Sequence, residues 1–200
     1  MSDTSQSASD IVSMPNDATV LIVDDEQPIT DAYAQWLEDD YEVRTAYSGS
    51  EALEKLDEEV DAVLLDRRMP NLSGEDVLAR IHEQGLNCRV ALVSAVEPDF
   101  DILELGFDAY LEKPVSEAEE LLETVETLLK RSTYDSQMQR FLSLANKKAA
   151  LETKKSPEEL DANDEYAQLT EELAELRSQL SDTAGTLDDE DLRAEFYDGE

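Results

Sequence analysis

The chain has 200 residues, 40% of them apolar, and a formal net charge of −34 from 50 acidic and 16 basic side chains. That length accommodates one domain of ordinary size and a smaller module. Self-repulsion on this scale destabilises a compact chain in dilute buffer, and molar salt, with a screening length of roughly 3 Å, removes most of the penalty. Strongly apolar runs interrupt the acids, which argues against a disordered acidic chain and favours a halophilic protein.

Three further features restrict the location of the protein. A single cysteine, Cys88, cannot form an internal disulfide, which suits a reducing compartment. No apolar stretch approaches the ~20 residues that a membrane helix needs. Residues 1–17 are rich in Ser and Asp and lack the basic and apolar regions of a secretion signal. We therefore expect a cytoplasmic protein without membrane contact, with a disordered lead at 1–17.

From residue 18 to about 131, short apolar runs alternate with amphipathic helical patterns, as in β/α units around a parallel sheet. Continuous apolar runs predict strands that are buried on both faces. Five strands are predicted, at 20–23, 41–47, 62–65, 90–93 and 109–111. Five helices are predicted: one from Pro28, one at 50–56, one capped by Ser73, one at 100–105 and one around 121–129. The predicted fold class is α/β, with a five-stranded, doubly wound parallel sheet.

Beyond about residue 132 the strand signals disappear and only helical periods remain. Two apolar seams with alternating spacings of three and four predict a helical hairpin or short coiled coil: Tyr134, Met138, Phe141, Ala145 and Lys148, then Tyr166, Leu169, Leu173, Leu176 and Leu180. Ser156 and Pro157, followed by Glu159, predict a helix start. We therefore expect an all-α hairpin module at 132–181 and an acidic tail at 182–200.

Polar side chains follow the predicted strands at their carboxyl ends, where binding sites form in doubly wound sheets. Such residues are improbable together by chance, particularly with Met69, Pro70 and Gly74 after the third strand. The set comprises Asp24 and Asp25 after the first strand, Asp66 after the third, Ser94 after the fourth, and Lys113 after the fifth.

Each residue type in this set suits phosphoryl transfer. Three clustered carboxylates raise one another's pKa values unless a cation offsets them, and Mg²⁺ prefers such oxygen ligands. The ion and Lys113 would neutralise charge on a transferring phosphoryl group, and Ser94 would donate a hydrogen bond. A carboxylate can itself act as the nucleophile. A cis peptide bond before Pro114 would aim the lysine inward.

The segments VLIVDDE, AVLLDRRMPNLSG, VALVSA and DAYLEKP resemble the CheY-like, flavodoxin-like receiver domains of two-component response regulators, over residues 18–131. The resemblance implies that Asp66 accepts a phosphoryl group from a histidine kinase, in a protein that is otherwise no enzyme. It implies direct Mg²⁺ ligation by Asp25 and Asp66. Asp24 would act mostly through water, and the backbone carbonyl of Arg68 would complete the protein ligands.

The same resemblance assigns the switching residues. Ser94 would be the hydroxyl that moves towards the phosphate, Tyr110 the aromatic side chain that turns inward with it, and the bond before Pro114 would be cis. Downstream, RFLSLANKKAALETKKS and EYAQLTEELAELRSQL resemble the HalX domain that follows receivers in halophilic archaea. This module would read the phosphorylation state while packed on a partner protein or a second copy.

Other interpretations remain open for the basic segment 130–155 and for the receiver itself. The segment predicts either a phosphate-binding patch for DNA or, as we favour, a basic face packed against a helix bearing Glu165, Glu171, Glu172 and Glu175. A pseudo-receiver that only binds partners is a further alternative, against which the intact acidic set argues. A hydrolase with an aspartyl-phosphate intermediate would need a cap for which the short loops leave no room. The remaining residues, His82 and Trp36, are expected to be exposed and in the core, respectively.

Overall fold

The computed structural model describes residues 18–98, 102 and 105–186. The strands are β1 (Thr19–Val23), β2 (Glu42–Ala46), β3 (Val60–Asp66), β4 (Arg89–Ser94) and β5 (Ala109–Glu112). The helices are α1 (Gln27–Leu37), α2 (Gly49–Lys55), α3 (Gly74–Gln84), α4 (Ala118–Lys154), α5 (Pro157–Asp161) and α6 (Asp164–Thr186). The predicted α/β class with a helical module after it is confirmed. The predicted lead at 1–17 and residues 187–200 of the predicted tail lie outside the described residues.

The five strands form one parallel sheet in the order β2-β1-β3-β4-β5. The chain moves from β1 to one side for β2 and then returns past β1 to build the other side. The central strands β1 and β3 are therefore neighbours on either side of the point where the strand order reverses. A crevice opens at the carboxyl ends of the strands at such a point.

The sheet is covered on both faces, which explains its continuous apolar strands. In β3, Ala62 and Leu64 join the cluster that contains α1 and the first half of α4. Val63 and Leu65 point to the other face and pack with residues of α3. All four side chains are at most 1% exposed, so the rigid centre of the sheet lies directly beneath the crevice.

Helix α3 begins with the predicted cap. The Ser73 side chain accepts a hydrogen bond from the Asp76 backbone N–H at 3.2 Å, and the Asp76 carboxylate accepts one from the Ser73 N–H at 3.0 Å. Such a cap stabilises a helix by about 1 kcal/mol, and it fixes the start of α3 close to the end of β3. The helix predicted at 100–105 lies outside the described residues, apart from Ile102 and Leu105.

Helix α4 runs without interruption for 37 residues, so the predicted domain boundary between residues 131 and 132 falls inside it. No Gly or Pro lies between its ends, and nothing in the local sequence would therefore break it. Its first part buries Leu121, Val125 and Leu128 against the sheet. Its second part leaves the receiver and forms one arm of a hairpin.

The hairpin pairs α4 with α6 in antiparallel orientation. Arg140 is ion-paired with Glu172, and the Tyr166 hydroxyl donates to Glu152 at 2.8 Å. The α6 seam is confirmed, since it buries its last three leucines, Leu173, Leu176 and Leu180. A capping box at Ser156 starts α5, as predicted, and α6 continues to Thr186, past the expected start of the acidic tail at 182. Within the described part of the chain, no helix combines the length and apolarity required to cross a bilayer.

Candidate functional site

The crevice at the carboxyl edge of the sheet gathers the polar residues that follow the strands. Asp24 follows β1, Asp66 ends β3, and Ser94 ends β4. Lys113 follows β5 directly, and the Lys113–Pro114 peptide bond is cis. Because β1, β3, β4 and β5 are consecutive neighbours in one parallel sheet, four separate chain segments contribute to a single site.

Three carboxylates meet in this crevice. One oxygen from each of Asp24, Asp25 and Asp66 lies within 4.8 Å of the other two. Asp24 and Asp66 are only 3% and 6% exposed, whereas Asp25 is open to solvent. Carboxylates this close repel one another unless a cation lies between them. Oxygen ligands at this spacing, with one side open to water, fit a hard divalent ion such as Mg²⁺, which keeps several of its waters.

The Lys113 ammonium joins the two buried carboxylates. Its Nζ donates to Asp24 Oδ2 at 2.6 Å and to Asp66 Oδ1 at 2.9 Å, and its side chain is 10% exposed. With all groups ionised, one ammonium faces three carboxylates, which leaves a formal charge of −2 in the crevice. The site therefore retains enough negative charge to attract a divalent cation while it presents a positive group to an anion.

The titration behaviour of the pair follows from burial and proximity. Burial raises the pKa of Asp66 above the usual aspartate value, although the hydrogen bond from Lys113 acts in the opposite direction. Burial alone would lower the pKa of Lys113, but the hydrogen bonds to Asp24 and Asp66 outweigh it and raise that pKa. The two buried carboxylates thus favour the charged form of Lys113, while burial disfavours the charged form of Asp66 and the neighbouring ammonium favours it.

The loop from β3 to α3 fixes the Asp66 side chain through a backbone hydrogen bond. The Arg68 backbone N–H donates to Asp66 Oδ2 at 3.0 Å, and the Arg68 side chain is exposed. The Gly74 N–H donates to the Arg67 carbonyl at 3.0 Å. A Cβ on Gly74 would lie 2.2 Å from the Asp66 carbonyl oxygen, so only glycine permits this approach. A metal-binding role for the Arg68 carbonyl stays a prediction.

Sequence reasoning missed Arg67 in this loop. Arg67 is 6% exposed, and its Nε donates to Glu75 Oε1 in the first turn of α3 at 2.8 Å. The pair anchors the segment that follows Asp66 to the helix. Two charged residues eight positions apart carry no local signal of pairing, because their contact depends on how the loop folds back.

Ser94 and Tyr110 both contact the backbone of Val96. Ser94 is 1% exposed, and its Oγ accepts a hydrogen bond from the Val96 N–H at 3.2 Å. The half-buried Tyr110 donates its hydroxyl proton to the Val96 carbonyl and packs its ring against Phe107, with centroids 5.9 Å apart. The two predicted switching residues are therefore linked through one peptide segment.

The basic segment of α4 is partly neutralised by local acids. Four of its cations form ion pairs within α4, with α5 or with α6: Lys130–Glu126, Arg140–Glu172, Lys148–Glu152 and Lys155–Glu159. Only Glu172 of the four α6 acids named for this contact takes part, and the other three are exposed. Packing against α6 is thus real but narrower than expected, because neighbours one turn away compete for the lysines.

His82, Trp36 and Cys88 were also considered as candidate functional residues, and none of them lies near the carboxylates of the crevice. His82 is exposed, and Trp36 packs against Tyr33 with ring centroids 5.5 Å apart. Burial raises the pKa of the Cys88 thiol to about 11, which makes it a poor nucleophile at neutral pH. These three side chains lie outside the acidic crevice.

Comparison with protein families divides the chain into two matched regions. The response regulator receiver domain model matches residues 20–126, which include every residue of the crevice. The HalX domain model matches residues 130–196. The second match begins inside α4, so one helix carries the junction between the two families.

Curated relatives match about two thirds of this chain and a smaller share of their own length. A Haloferax volcanii protein named "Putative transcriptional regulator" is 54% identical over 134 residues, which cover 66% of this chain and 23% of that protein. The response regulator SaeR of Staphylococcus aureus is 34% identical over 128 residues, covering 62% of this chain and 56% of SaeR. The chain therefore spans about a quarter of one relative and just over half of the other.

Solved structures of receiver domains resemble this chain in fold. The CheY-like receiver domain of Methanospirillum hungatei is 30% identical, covers 59% of this chain and 98% of its own, and has a TM-score of 0.55. The BeF3-activated receiver domain of DrrB from Thermotoga maritima is 28% identical, covers 56% of this chain and 97% of its own, and has a TM-score of 0.52. The chain belongs to the response regulator receiver domain family and carries a HalX-type domain after its receiver.

Proposed function

We propose that this response regulator is switched by transfer of a phosphoryl group from a histidine kinase to Asp66. The observation that carries the proposal is the Lys113 ammonium, which bridges Asp24 and Asp66 beside the third carboxylate, Asp25. This arrangement combines a carboxylate nucleophile, carboxylates that can bind a cation, and a positive group for phosphoryl oxygens.

The proposed transfer is a displacement at phosphorus. An Asp66 carboxylate oxygen attacks the phosphorus atom, the bond from phosphorus to the kinase imidazole nitrogen breaks, and that nitrogen takes the electron pair. The product is an acyl phosphate on Asp66. Lys113 then exchanges its hydrogen bond to the Asp66 carboxylate for contacts with phosphoryl oxygens. Such catalysis consists mainly of positioning and electrostatics.

Asp25 and Asp66 would hold Mg²⁺ directly, Asp24 would act through water, and the Arg68 carbonyl would complete the protein ligands. When bound, the ion neutralises negative charge on the transferring phosphoryl group. The residual charge of the crevice favours a divalent ion over a monovalent one. The BeF3-activated form of the similar DrrB receiver supports an anion-accepting site of this kind.

Ser94 and Tyr110 would carry the change away from Asp66. A phosphoryl oxygen on Asp66 would accept a hydrogen bond from the Ser94 hydroxyl and draw the side chain away from the Val96 N–H, from which its Oγ accepts at 3.2 Å. Movement of Ser94 alters the peptide segment whose carbonyl accepts from Tyr110. Tyr110 lies on β5, so the change reaches the edge of the sheet next to α4.

An ionic clasp connects this edge to the helical module. Arg89, at the start of β4, pairs with Asp108 just before β5 at 2.7 Å and with Asp135 on α4. Asp108 also accepts from the Val90 N–H at 2.8 Å, and Arg131 donates to the Asp108 carbonyl at 3.0 Å. We propose that the module reads the state of β5 through this clasp and through the unbroken α4, while it contacts a partner or a second copy.

The direct test is phosphorylation of the full chain by acetyl phosphate in molar KCl, measured by intact mass. We expect a gain of one phosphoryl group in Mg²⁺ and none when the metal is chelated by EDTA. Transfer from an autophosphorylated histidine kinase should give the same product. A folded protein that gains no mass in Mg²⁺ from acetyl phosphate or from the kinase would be a pseudo-receiver, and the proposal would be wrong.

The clasp makes a separate prediction. Arg89→Gln removes the guanidinium that joins Asp108 to Asp135, so the amides of α4 around 131–138 should exchange with deuterium several-fold faster. The exposed Arg89–Asp135 pair contributes at most about 1 kcal/mol, so the expected rise in exchange rate is no more than several-fold. Arg80→Gln is the matched control, since among the described residues Arg80 forms its ion pair with Glu83 on the surface of α3, at 3.0 Å. Equal exchange in the two variants would contradict a role for the clasp.

DNA remains the second candidate partner, because the Haloferax volcanii relative is named as a regulator of transcription. Lys147 and Lys154 favour it: they lie on one face of α4, seven residues apart, and both are exposed. The ion pairs of the other lysines oppose it, and high salt weakens phosphate contacts steeply. A gel shift at molar KCl with sequence-specific binding would make DNA the preferred output.

A further inference from the structure

A buried hydroxyl lies behind the acidic crevice. Thr30, in the first turn of α1, is 0% exposed, and its Oγ1 donates to the Asp24 backbone carbonyl at 3.0 Å. The Glu26 carbonyl lies at the outer limit of hydrogen bonding from the same hydroxyl, at 3.5 Å. Threonine is an unusual choice at a buried position on a core-facing helix, because its hydroxyl must find a partner there.

Several hydrogen bonds hold the loop between β1 and α1, and the Thr30 bond is one of them. Glu26 is the N-cap residue of α1, and its side chain makes no capping hydrogen bond. The Glu26 N–H donates instead to Asp24 Oδ1 at 2.9 Å, while the Asp24 N–H donates to the Ala46 carbonyl at 3.1 Å. The Thr30 hydroxyl adds the side-chain link from α1 to the Asp24 carbonyl.

Asp25 lies between the two residues that these bonds hold. Its side chain is exposed, and the position of its Cα follows the backbone of these two neighbours. A shift of the Asp24 carbonyl would therefore move Asp25 relative to Asp66, which is fixed separately at the end of β3. Affinity for a divalent ion depends on such positions to a fraction of an ångström.

We propose that Thr30 is a positioning residue for divalent-cation binding: its hydroxyl holds the Asp24–Asp25 segment in the geometry that brings the three carboxylates together. The inference rests on the cation-binding part of the proposed function. It adds a residue outside the acidic set, with no contact to the cation or to the phosphoryl group.

The test compares Thr30→Val, which keeps the side-chain shape without the hydroxyl, with Thr30→Ser, which keeps the hydroxyl. Binding of Mg²⁺ to the full chain in molar KCl is measured by titration calorimetry, with Mn²⁺ titration read by electron paramagnetic resonance as an independent probe. We expect about fivefold weaker binding in Thr30→Val and affinity within about twofold of wild type in Thr30→Ser. Thr19→Val is the matched control, because Thr19 is 4% exposed at the opposite end of β1.

Phosphorylation by acetyl phosphate separates positioning from general loss of structure. In Thr30→Val, the Mg²⁺ concentration for half-maximal phosphorylation should rise about as much as the dissociation constant, with the wild-type extent recovered at saturating Mg²⁺. Unchanged affinity in Thr30→Val would overturn the proposed role of Thr30, and so would equal weakening in Thr30→Ser or in Thr19→Val. None of these results would affect the proposed function of the receiver. Failure of the wild-type protein to bind either ion would overturn the proposed cation site and, with it, this role for Thr30.

Discussion

Asp66→Asn is expected to abolish phosphorylation of the chain, with the rate reduced at least about 10²-fold, as for loss of a nucleophile. The amide is isosteric with the carboxylate but cannot form an acyl phosphate. It retains an oxygen that can accept from the Arg68 N–H, which donates to Asp66 at 3.0 Å in the wild type, so the loop should keep its shape. Intact mass after incubation with acetyl phosphate and Mg²⁺ measures the effect.

Asp61→Asn provides the control for this prediction. Asp61 lies near the other end of β3, where its carboxylate accepts from the Thr19 N–H at 2.9 Å. It shares the strand with Asp66 but not the crevice, and the variant should be phosphorylated like wild type. Mass gain that persists in Asp66→Asn would identify a different acceptor and refute the assignment.

Lys113→Met should produce two large effects, and the first is on phosphoryl transfer. Methionine fills a similar volume but supplies no positive charge to the phosphoryl oxygens. Loss of one preorganised electrostatic group of this kind slows reactions by about 10²-fold or more. The time course of mass gain at saturating Mg²⁺ measures this loss. A wild-type rate in the variant would show that the lysine serves only the fold.

The second effect of Lys113→Met is on stability without metal. Removing one partner from a buried ionic cluster costs about 3–5 kcal/mol, since the carboxylates of Asp24 and Asp66 would then face each other without a counter-charge. Mg²⁺ should restore much of that loss, because a bound divalent ion stabilises the folded state by mass action. Unfolding by denaturant, followed through the single tryptophan, Trp36, gives both free energies.

Lys55→Met is the matched control for stability. Lys55 also pairs with a carboxylate, Glu51, at 2.7 Å, but its side chain is 39% exposed. Its loss should cost no more than about 1 kcal/mol, with no dependence on Mg²⁺. If Mg²⁺ stabilises the Lys113 and Lys55 variants to the same small extent, the ammonium does not share its carboxylates with a metal ion.

Local pattern was enough to predict most of the receiver. Four-residue apolar runs mark strands buried on both faces, and β1, β3 and β4 contain them. Ser73 and Ser156 were recognised as caps because capping is a contact within one helical turn. The set of strand-end residues was also accessible, because the carboxyl ends of parallel strands always open on one edge of the sheet.

Contacts between distant segments were not accessible in this way. The periodic pattern changes near residue 132, yet α4 passes through that point, because a change of burial partner does not interrupt backbone hydrogen bonding. The basic residues of α4 pair mostly with acids one turn away, not with the predicted face of α6. The sequence around Thr30 and Arg67 did not indicate a role for either residue, since each acts through a contact that forms only when the chain folds back.

The order of residues along the chain therefore determined the fold class, the two family regions and the side chains of the acidic crevice. These follow from periodicities and strand ends, which are properties of a few consecutive residues. Only the tertiary structure decided that Lys113 bridges Asp24 and Asp66, that the Thr30 hydroxyl bonds the Asp24 carbonyl, and that Arg89 joins the sheet to α4. Those contacts unite residues as far as 89 positions apart, and the packing of helices on a twisted sheet sets their distances.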